Sequence, residues 1–446
     1  MKNLLIKYSK QLNIEFSFKY FQNTAWLIFE KFFRMTVGVY IGILTARYLG
    51  LNDYGIFNYV LSLVGIFLPF ASLGIDSIVV RELLINEEKE AEILGSAFFL
   101  KVICSVITIF TISVFINTVS NDYKLNIIIL IYSVTILIQS LNIFELYFQS
   151  KVLSKFIVFS NLISLLIFSL IRYMFIYFKF TLLSFVIIAT LECLLTYFLL
   201  FIFYKKNTLN KVKWIINKIQ IKNLIINGWP LLLSSFLITI YMKIDQVMLK
   251  QMLDFSAVGI YSAALRLSEV WYFIPMIITS SLYPAIISAK KNNENLYYER
   301  LQKLFDLLFL IFFSLAIFVT LFSNVIVNII FGKNFIAASP ILTIHIWTGI
   351  FVSFGVASSS WYTAENFQKI LFQRSIVGVV VNILLNLVLI KQYKANGAAI
   401  ATLTSQVLTA FVYEYFNPKT RKIFFLKLNS MNLYRYFKIL YSNNNV

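Results

Sequence analysis

Residues 237–251 read LITIYMKIDQVMLKQ. They close an apolar run over 226–249, about the ~20 residues that an α-helix needs to cross ~30 Å of hydrocarbon. Lys243 and Asp245 stand two apart inside it. A bare charge at membrane depth costs roughly 3 kcal/mol or more, so each demands a reason. On a helix the two side chains diverge by ~200° and cannot answer each other. Each needs a partner on another segment.

The rest of the chain is of the same kind. Of 446 residues 59% are apolar and 13% charged, with mean hydropathy +0.79, far from the composition of a water-soluble domain. The chain reads as an all-α integral membrane protein with twelve candidate spans, at 24–46, 55–77, 94–116, 125–148, 153–176, 181–204, 226–249, 256–282, 304–330, 340–362, 370–391 and 396–416. With residue 1 inside, the cytoplasmic segments collect 25 of the 39 basic residues and the outer segments seven. The positive-inside rule therefore puts both termini in the cytoplasm. The net charge of +19 is mainly a topology signal and an attraction to anionic headgroups, which leaves nucleic acid without a role as partner.

Several chemistries are excluded. Cys104 and Cys193 lie far apart in apolar runs, suggesting neither a disulfide framework nor a thiolate metal site. One histidine, His345, rules out an H-E-x-x-H zinc site, and no Walker-type phosphate loop occurs, so no metal or cofactor is expected. The first twenty residues carry Lys2, Lys7, Lys10 and Lys19 without a compact apolar core and cleavage site. They read as a retained, amphipathic cytoplasmic lead-in.

The basic connection at 205–225 separates six runs from six, giving a first lobe at 1–204, a linker at 205–225 and a second lobe at 226–416. A shift of 204 residues lays YGIFNYVLSLVGIF (54–67) over VGIYSAALRLSEVW (258–271), matching Gly55 with Gly259, Ile56 with Ile260, Leu61 with Leu265 and Leu63 with Leu267. Such a repeat is parallel, about a pseudo-twofold axis along the membrane normal. The tail at 417–446 is apolar and basic, with Lys427 and Arg435 interrupting any span, and reads as an amphipathic interfacial segment.

Polar residues inside the runs are the candidate sites. Glu30 and Arg34 are four apart on one helix face, with Arg34 ~15 Å into the bilayer. Either Glu30 neutralises Arg34 for packing, or Arg34 faces a water-filled cavity and binds an anionic headgroup. Gly38 and Gly42 have the spacing of a close helix crossing. For Lys243 and Asp245, the next run offers Arg266 and Glu269 at matching depth. The expected pairs are Asp245 with Arg266 and Lys243 with Glu269, either as a structural network or as a cavity-facing cluster. Gln139, Asn142, Glu145 and Gln149 form a polar stripe that must face protein or water. Asp76 and Glu192 are either proton or cation sites or satisfied interhelical carboxyls. Arg374, with Asn382 and Asn386 further along, lines an inner vestibule or snorkels. His345 beside Trp347 reads as interfacial, with proton coupling as its other role.

Two blocks go further. ARYLGLNDYGIFNYVLSLVGIFLPFASLGIDSIVVREL (46–83) and IYMKIDQVMLKQMLDFSAVGIYSAALRLSEVWYFIPMIITSSLYPAI (240–286) resemble the Wzx-type polysaccharide repeat-unit flippases of O-antigen, lipopolysaccharide and capsule assembly. These belong to the multidrug/oligosaccharidyl-lipid/polysaccharide exporter superfamily. The resemblance implies two six-helix lobes around a central cavity. It implies a partner too: an undecaprenyl-diphosphate-linked oligosaccharide, carried across the bacterial cytoplasmic membrane by alternating access. The scattered carboxylates are compatible with H+ or Na+ as coupling ion and equally with the membrane potential. Lys243, Asp245, Arg266 and Glu269 fall in the matching blocks as cavity residues. Arg34 and Arg374 join them by depth and charge, and Glu30, Asp76, Glu145 and Glu192 are the coupling candidates. Arginine's planar fork suits a diphosphate.

Two other classes stand beside this one. A cation-coupled drug or small-solute antiporter of the same superfamily would use Glu192 or Asp76 for its ion. A polysaccharide polymerase or membrane glycosyltransferase would be an enzyme, and the short outer loops count against it.

Overall fold

The computed structural model describes residues 2–119, 121–207 and 213–435, with the side chains of 2–22, 24, 119, 284, 291 and 292 excepted. The amphipathic character expected of the lead-in rests on side chains outside this set, as do Lys211, Lys291 and the tail beyond Arg435.

Among the described residues every regular element is a helix. Backbone groups in hydrocarbon must be satisfied within the segment, and a helix does that without a neighbour. α1 (Lys2–Ser72) carries the first two apolar runs and breaks at Gly50, whose φ of 71° suits a residue without Cβ. α2 (Asp76–Ile85), α3 (Glu90–Val119), α4 (Tyr123–Ile138), α5 (Ile143–Ser150), α6 (Ser154–Tyr177) and α7 (Leu182–Asn207) follow. Then come α8 (Lys218–Met252), α9 (Phe255–Glu269), α10 (Phe273–Asn292), α11 (Glu294–Phe331), α12 (Ala338–His345), α13 (Thr348–Ala364) and α14 (Gln368–Val407). A π-helical turn (Leu408–Val412) leads into α15 (Tyr413–Phe416), and α16 (Arg421–Ser430) carries the tail.

Nine helical stretches among the described residues are long and apolar enough to cross a membrane. The expected runs at 24–46 and 55–77 share α1, and those at 370–391 and 396–416 share the stretch Gln368–Phe416, broken at Lys394. The run at 256–282 comes out as α9 and α10 around a one-turn 3-10 segment, Val270–Tyr272. Pro275 sits in the first turn of α10 and has no N–H for the carbonyl one turn back, so an uninterrupted helix is disfavoured there. Large apolar side chains such as Phe110, Leu170 and Leu321 point outward, as they do when lipid is the solvent.

The chain divides into two compact units, one of residues 1–49 and 60–239, the other of 50–59 and 240–446. The first packs around Val79, Leu94, Phe144, Phe148 and Leu200. The second packs around Phe305, Phe312, Phe354, Tyr362 and Ile423. In the second unit, Gly55 of α1 and Gly259 of α9 meet backbone to backbone: a Cβ on Gly259 would stand 2.1 Å from the Leu51 carbonyl oxygen. The two glycines that the sequence repeat aligns are thus each other's neighbours. Gly38, by contrast, has nothing within 4 Å of a Cβ position, while Gly42, one turn on, is buried.

Candidate substrate and coupling sites

In the first unit, Glu30 and Arg34 form the expected i, i+4 ion pair at 2.6 Å. The Glu30 side chain is 10% exposed and that of Arg34 49%, so the carboxylate is sheathed and the guanidinium open. Asp76 begins α2, where a carboxylate is favoured by the helix dipole. It pairs with Lys101 of α3, a side chain 2% exposed. Lys101 also donates to Asn142 Oδ1 (2.6 Å), and Asn142 Nδ2 donates to Asp76 Oδ2 (3.2 Å). The 3-10 turn Gln139–Asn142 between α4 and α5 presents Asn142 to the pair. Glu145, one turn on, accepts from Gln149 (3.2 Å) and has Asp76, Arg34 and Glu30 as charged neighbours.

The sequence therefore names three carboxylates and one arginine of this cluster but passes over its buried lysine. The signal was a lone Lys in a run of apolar residues. What it lacked was a partner, which lies 25 residues away on another helix. Glu192 stands apart, tied to Arg172 across α6 and α7. Its charge is neutralised by a neighbour, which weakens its case as a coupling site.

In the second unit the expected Asp245–Arg266 pair does not form. Asp245 is buried and accepts from Tyr261 Oη (2.6 Å), Asn386 Nδ2 (2.6 Å) and Thr402 Oγ1. Arg266 instead donates to Tyr54 Oη (3.3 Å). The reason is the helical period of α9. Arg266 lies seven residues, nearly two turns, after Gly259 and shares its face toward residues 50–59, whereas Tyr261 and Ser268 occupy the opposite face. Lys243 and Glu269 are electrostatic neighbours, but no ion pair joins them among the described residues.

His345 is buried rather than interfacial, 2% exposed, with Nδ1 2.8 Å from Ser268 Oγ and its ring edge-on to Tyr261. Asn382 and Asn386, expected to line a vestibule, are also fully buried, and Asn386 also donates to Asn382 Oδ1 (3.2 Å).

Arg374 neither lines a vestibule nor snorkels. It is buried against Glu414, with Nη1 3.2 Å from Oε1 and the guanidinium over the Tyr362 ring. Lys427 of α16 lies 2.8 Å from Glu414 Oε1 and 2.7 Å from Oε2, and donates to the Ala410 carbonyl at 2.6 Å. Burial pushes the Lys427 ammonium down to about 8, Glu414 opposing the shift and Arg374 adding to it. The expected interfacial tail is thus docked onto protein through its buried residues Ile423, Lys427 and Ser430. An ion pair at its centre replaces the headgroup contact that an interfacial lysine would make.

Of all these groups, Asp245 has the chemistry to hold a small cation or a proton. Its carboxylate is ringed by hydroxyl and amide groups and has no cationic partner within ion-pair distance among the described residues. The carboxylate and the Tyr261 and Thr402 hydroxyl oxygens are hard donors of the kind that suit Na+ and similar ions. No cluster of His, Cys, Asp and Glu suited to a metal occurs among the described residues.

Known proteins supply the context. A family described as "Polysaccharide biosynthesis protein" matches residues 20–290, and MatE matches residues 230–388. The probable low-salt glycan biosynthesis flippase Agl15 of Haloferax volcanii is 25% identical over 181 residues, 40% of this chain, and the match spans 38% of that relative's length. The lipid II flippase MurJ in its inward closed conformation superimposes with a TM-score of 0.72 at 16% identity, over 92% of this chain and 91% of its own. An inward-facing multidrug resistance MATE family transporter of the MOP superfamily gives 0.70 at 13% identity, over 88% and 95%. The fold is the all-helical one that these membrane transporters share, and the protein is a multi-pass membrane protein. Since the first match spans well over half of its length, the chain belongs to the polysaccharide biosynthesis protein family.

Proposed function

We propose that the protein is a flippase that carries a lipid-linked oligosaccharide across the bacterial cytoplasmic membrane by alternating access. Its cargo is the undecaprenyl-diphosphate-linked repeat unit of a surface polysaccharide such as O-antigen or capsule, and both termini lie in the cytoplasm. The observation that carries this reading is Arg34, which keeps half of its side chain open at membrane depth while its partner Glu30 is covered. An open guanidinium in an apolar setting is the donor that a diphosphate needs. Asn142, Glu145 and Gln149 offer sugar hydroxyls a polar wall on the same unit, and in the second unit Lys243 and Arg266 offer cationic chemistry of the same kind.

Asp245 is the coupling site in this reading, for H+ or Na+. It displaces Glu192, which is paired, and stands apart from Asp76 and Glu145, which belong to the lysine cluster.

The test is deletion of the gene followed by analysis of lipid-linked intermediates. Complete repeat units accumulate on the cytoplasmic leaflet if the reading is right. Normal surface polysaccharide with altered drug tolerance would overturn it in favour of a cation-coupled antiporter, the second reading, which the MatE match over 230–388 favours.

A further inference from the structure

In the first unit a cavity of about 470 Å³ opens between α3, the α4–α5 turn and α7. Its walls are apolar and mostly aromatic, among them Phe98, Phe144, Phe201, Tyr204 and Trp214. None of the candidate residues above lines it.

The cavity is built rather than incidental. Trp214 comes from the connection after α7 and seats its ring 5.2 Å from Phe98 and 5.5 Å from Phe144, with Nε1 donating to Tyr204 Oη at 3.2 Å. The connection is strapped to α3: Ile215 N donates to the Ala91 carbonyl, Asn217 N to Ser96 Oγ, and Asn217 Nδ2 to Glu92. Gly95 makes room for it, since a Cβ there would stand 2.6 Å from the Ile215 oxygen. Across the cavity Phe198 and Phe201 are 52% and 42% exposed, so the opening faces the apolar surroundings.

Charge supplies the second observation. Lys205 and Lys206 follow Tyr204, and Lys213 precedes Trp214. All three are exposed, and none is ion-paired among the described residues. An aromatic cavity thus opens beside segments whose ammonium groups have no ion-pair partner among the described residues. That is the arrangement for a lipid with a single chain end in the cavity and an anionic headgroup outside it.

We propose that this cavity holds the phosphate-proximal part of a polyisoprenoid chain. Its volume lies within the ~300–1,000 Å³ of sites that enclose small apolar groups, which suits a portion of a long chain rather than the whole. A polyisoprenoid carries a methyl branch and a double bond in each repeat, so it is thicker than a straight acyl chain and presents π-density to the rings. The inference rests on the flippase reading for the identity of the lipid, and it adds a place, apart from Arg34, where the lipid is held with its phosphate toward the lysines beside the cavity.

The test uses the purified full chain in detergent, with undecaprenyl monophosphate and dioleoyl phosphatidic acid as probes of equal headgroup chemistry. Occupancy is read by native mass spectrometry. The wild type is expected to prefer the polyprenyl lipid by about tenfold, and Leu194→Trp, which fills the cavity from α7, to lose that preference with an unchanged melting temperature. Should Leu194→Trp not fold, a photoreactive polyprenyl phosphate on the wild type decides the matter, with labelling of peptides holding Phe198 to Tyr204 or Trp214 as the expected result. Equal binding of the two phosphates would show a crevice for bulk lipid only, and labelling confined to other helices would likewise overturn the proposal. Neither outcome touches the deletion assay, so the flippase reading stands or falls separately.

Discussion

Gly55 and Gly259 pack backbone against backbone: a Cβ on Gly55 would stand 1.8 Å from the Phe255 carbonyl oxygen and 3.0 Å from the Gly259 nitrogen. Neither atom can yield, because both belong to helix backbone. Gly259→Ala must push α9 away from residues 50–59, at a cost of about 3 kcal/mol or more, the upper range of overpacking. The expected result is a lower melting temperature in detergent and reduced abundance in the membrane. Wild-type stability of Gly259→Ala would contradict the crossing.

The Asp76–Lys101 pair is lopsided, with a lysine 2% exposed and an aspartate 43% exposed. Asp76→Ala strands a buried charge, at a cost of about 3–5 kcal/mol. Lys101→Met leaves a carboxylate that water can still reach, and it destabilises less. Thermal unfolding of the two variants checks the order, and Lys101→Met being the worse of the two would show that the cluster is held from the other side.

Asp245→Asn keeps the size of the side chain but removes the charge. If Asp245 carries the coupling ion, the variant reaches the membrane in normal amount, and its transport no longer responds to an imposed Na+ or proton gradient in proteoliposomes. Gradient-driven transport at the wild-type rate would assign coupling to another group.

Lys427 gives a pH signature. The unfolded chain holds this proton up to the ordinary lysine value of ~10.4, whereas the folded chain releases it at about 8. Between these values the unfolded state binds more protons, so stability rises with pH through that window and the penalty is fully present below it. The gain is on the order of 3 kcal/mol. Lys427→Met flattens this rise, and Glu414 keeps Arg374 as its partner. An unchanged slope in the variant would place the proton elsewhere.

Arg34 tests the proposed substrate site. Arg34→Gln is expected to abolish export, and the Glu30→Gln/Arg34→Gln double variant to restore any lost abundance without restoring export. Export by the double variant would mean that the pair serves packing.

Much of this was legible before the structure. The apolar runs fall on helices, and the need of Lys243 and Asp245 for partners on other segments follows from the helical period alone. The partners themselves were not legible. Asp245 is answered by Tyr261, Asn386 and Thr402, residue types scattered through every run, and nothing in their local sequence marks these three. Arg266 and Glu269 looked apt because they are charged and near in sequence, but charge and depth do not fix the direction in which a side chain points. Lys427 reads in the sequence as a tail cation and nothing in the local sequence marks Lys101, yet both are buried at the centre of polar networks.

The sequence by itself determined that this is a helical membrane protein and which segments can lie in lipid. Hydrocarbon imposes that result one segment at a time, because each must satisfy its own backbone. The tertiary structure decided which charges are paired, which are open and where Trp214 closes a cavity. Those outcomes depend on how each helix is rotated and staggered against its neighbours, and that is set by close contacts such as Gly55 on Gly259, which no single segment contains.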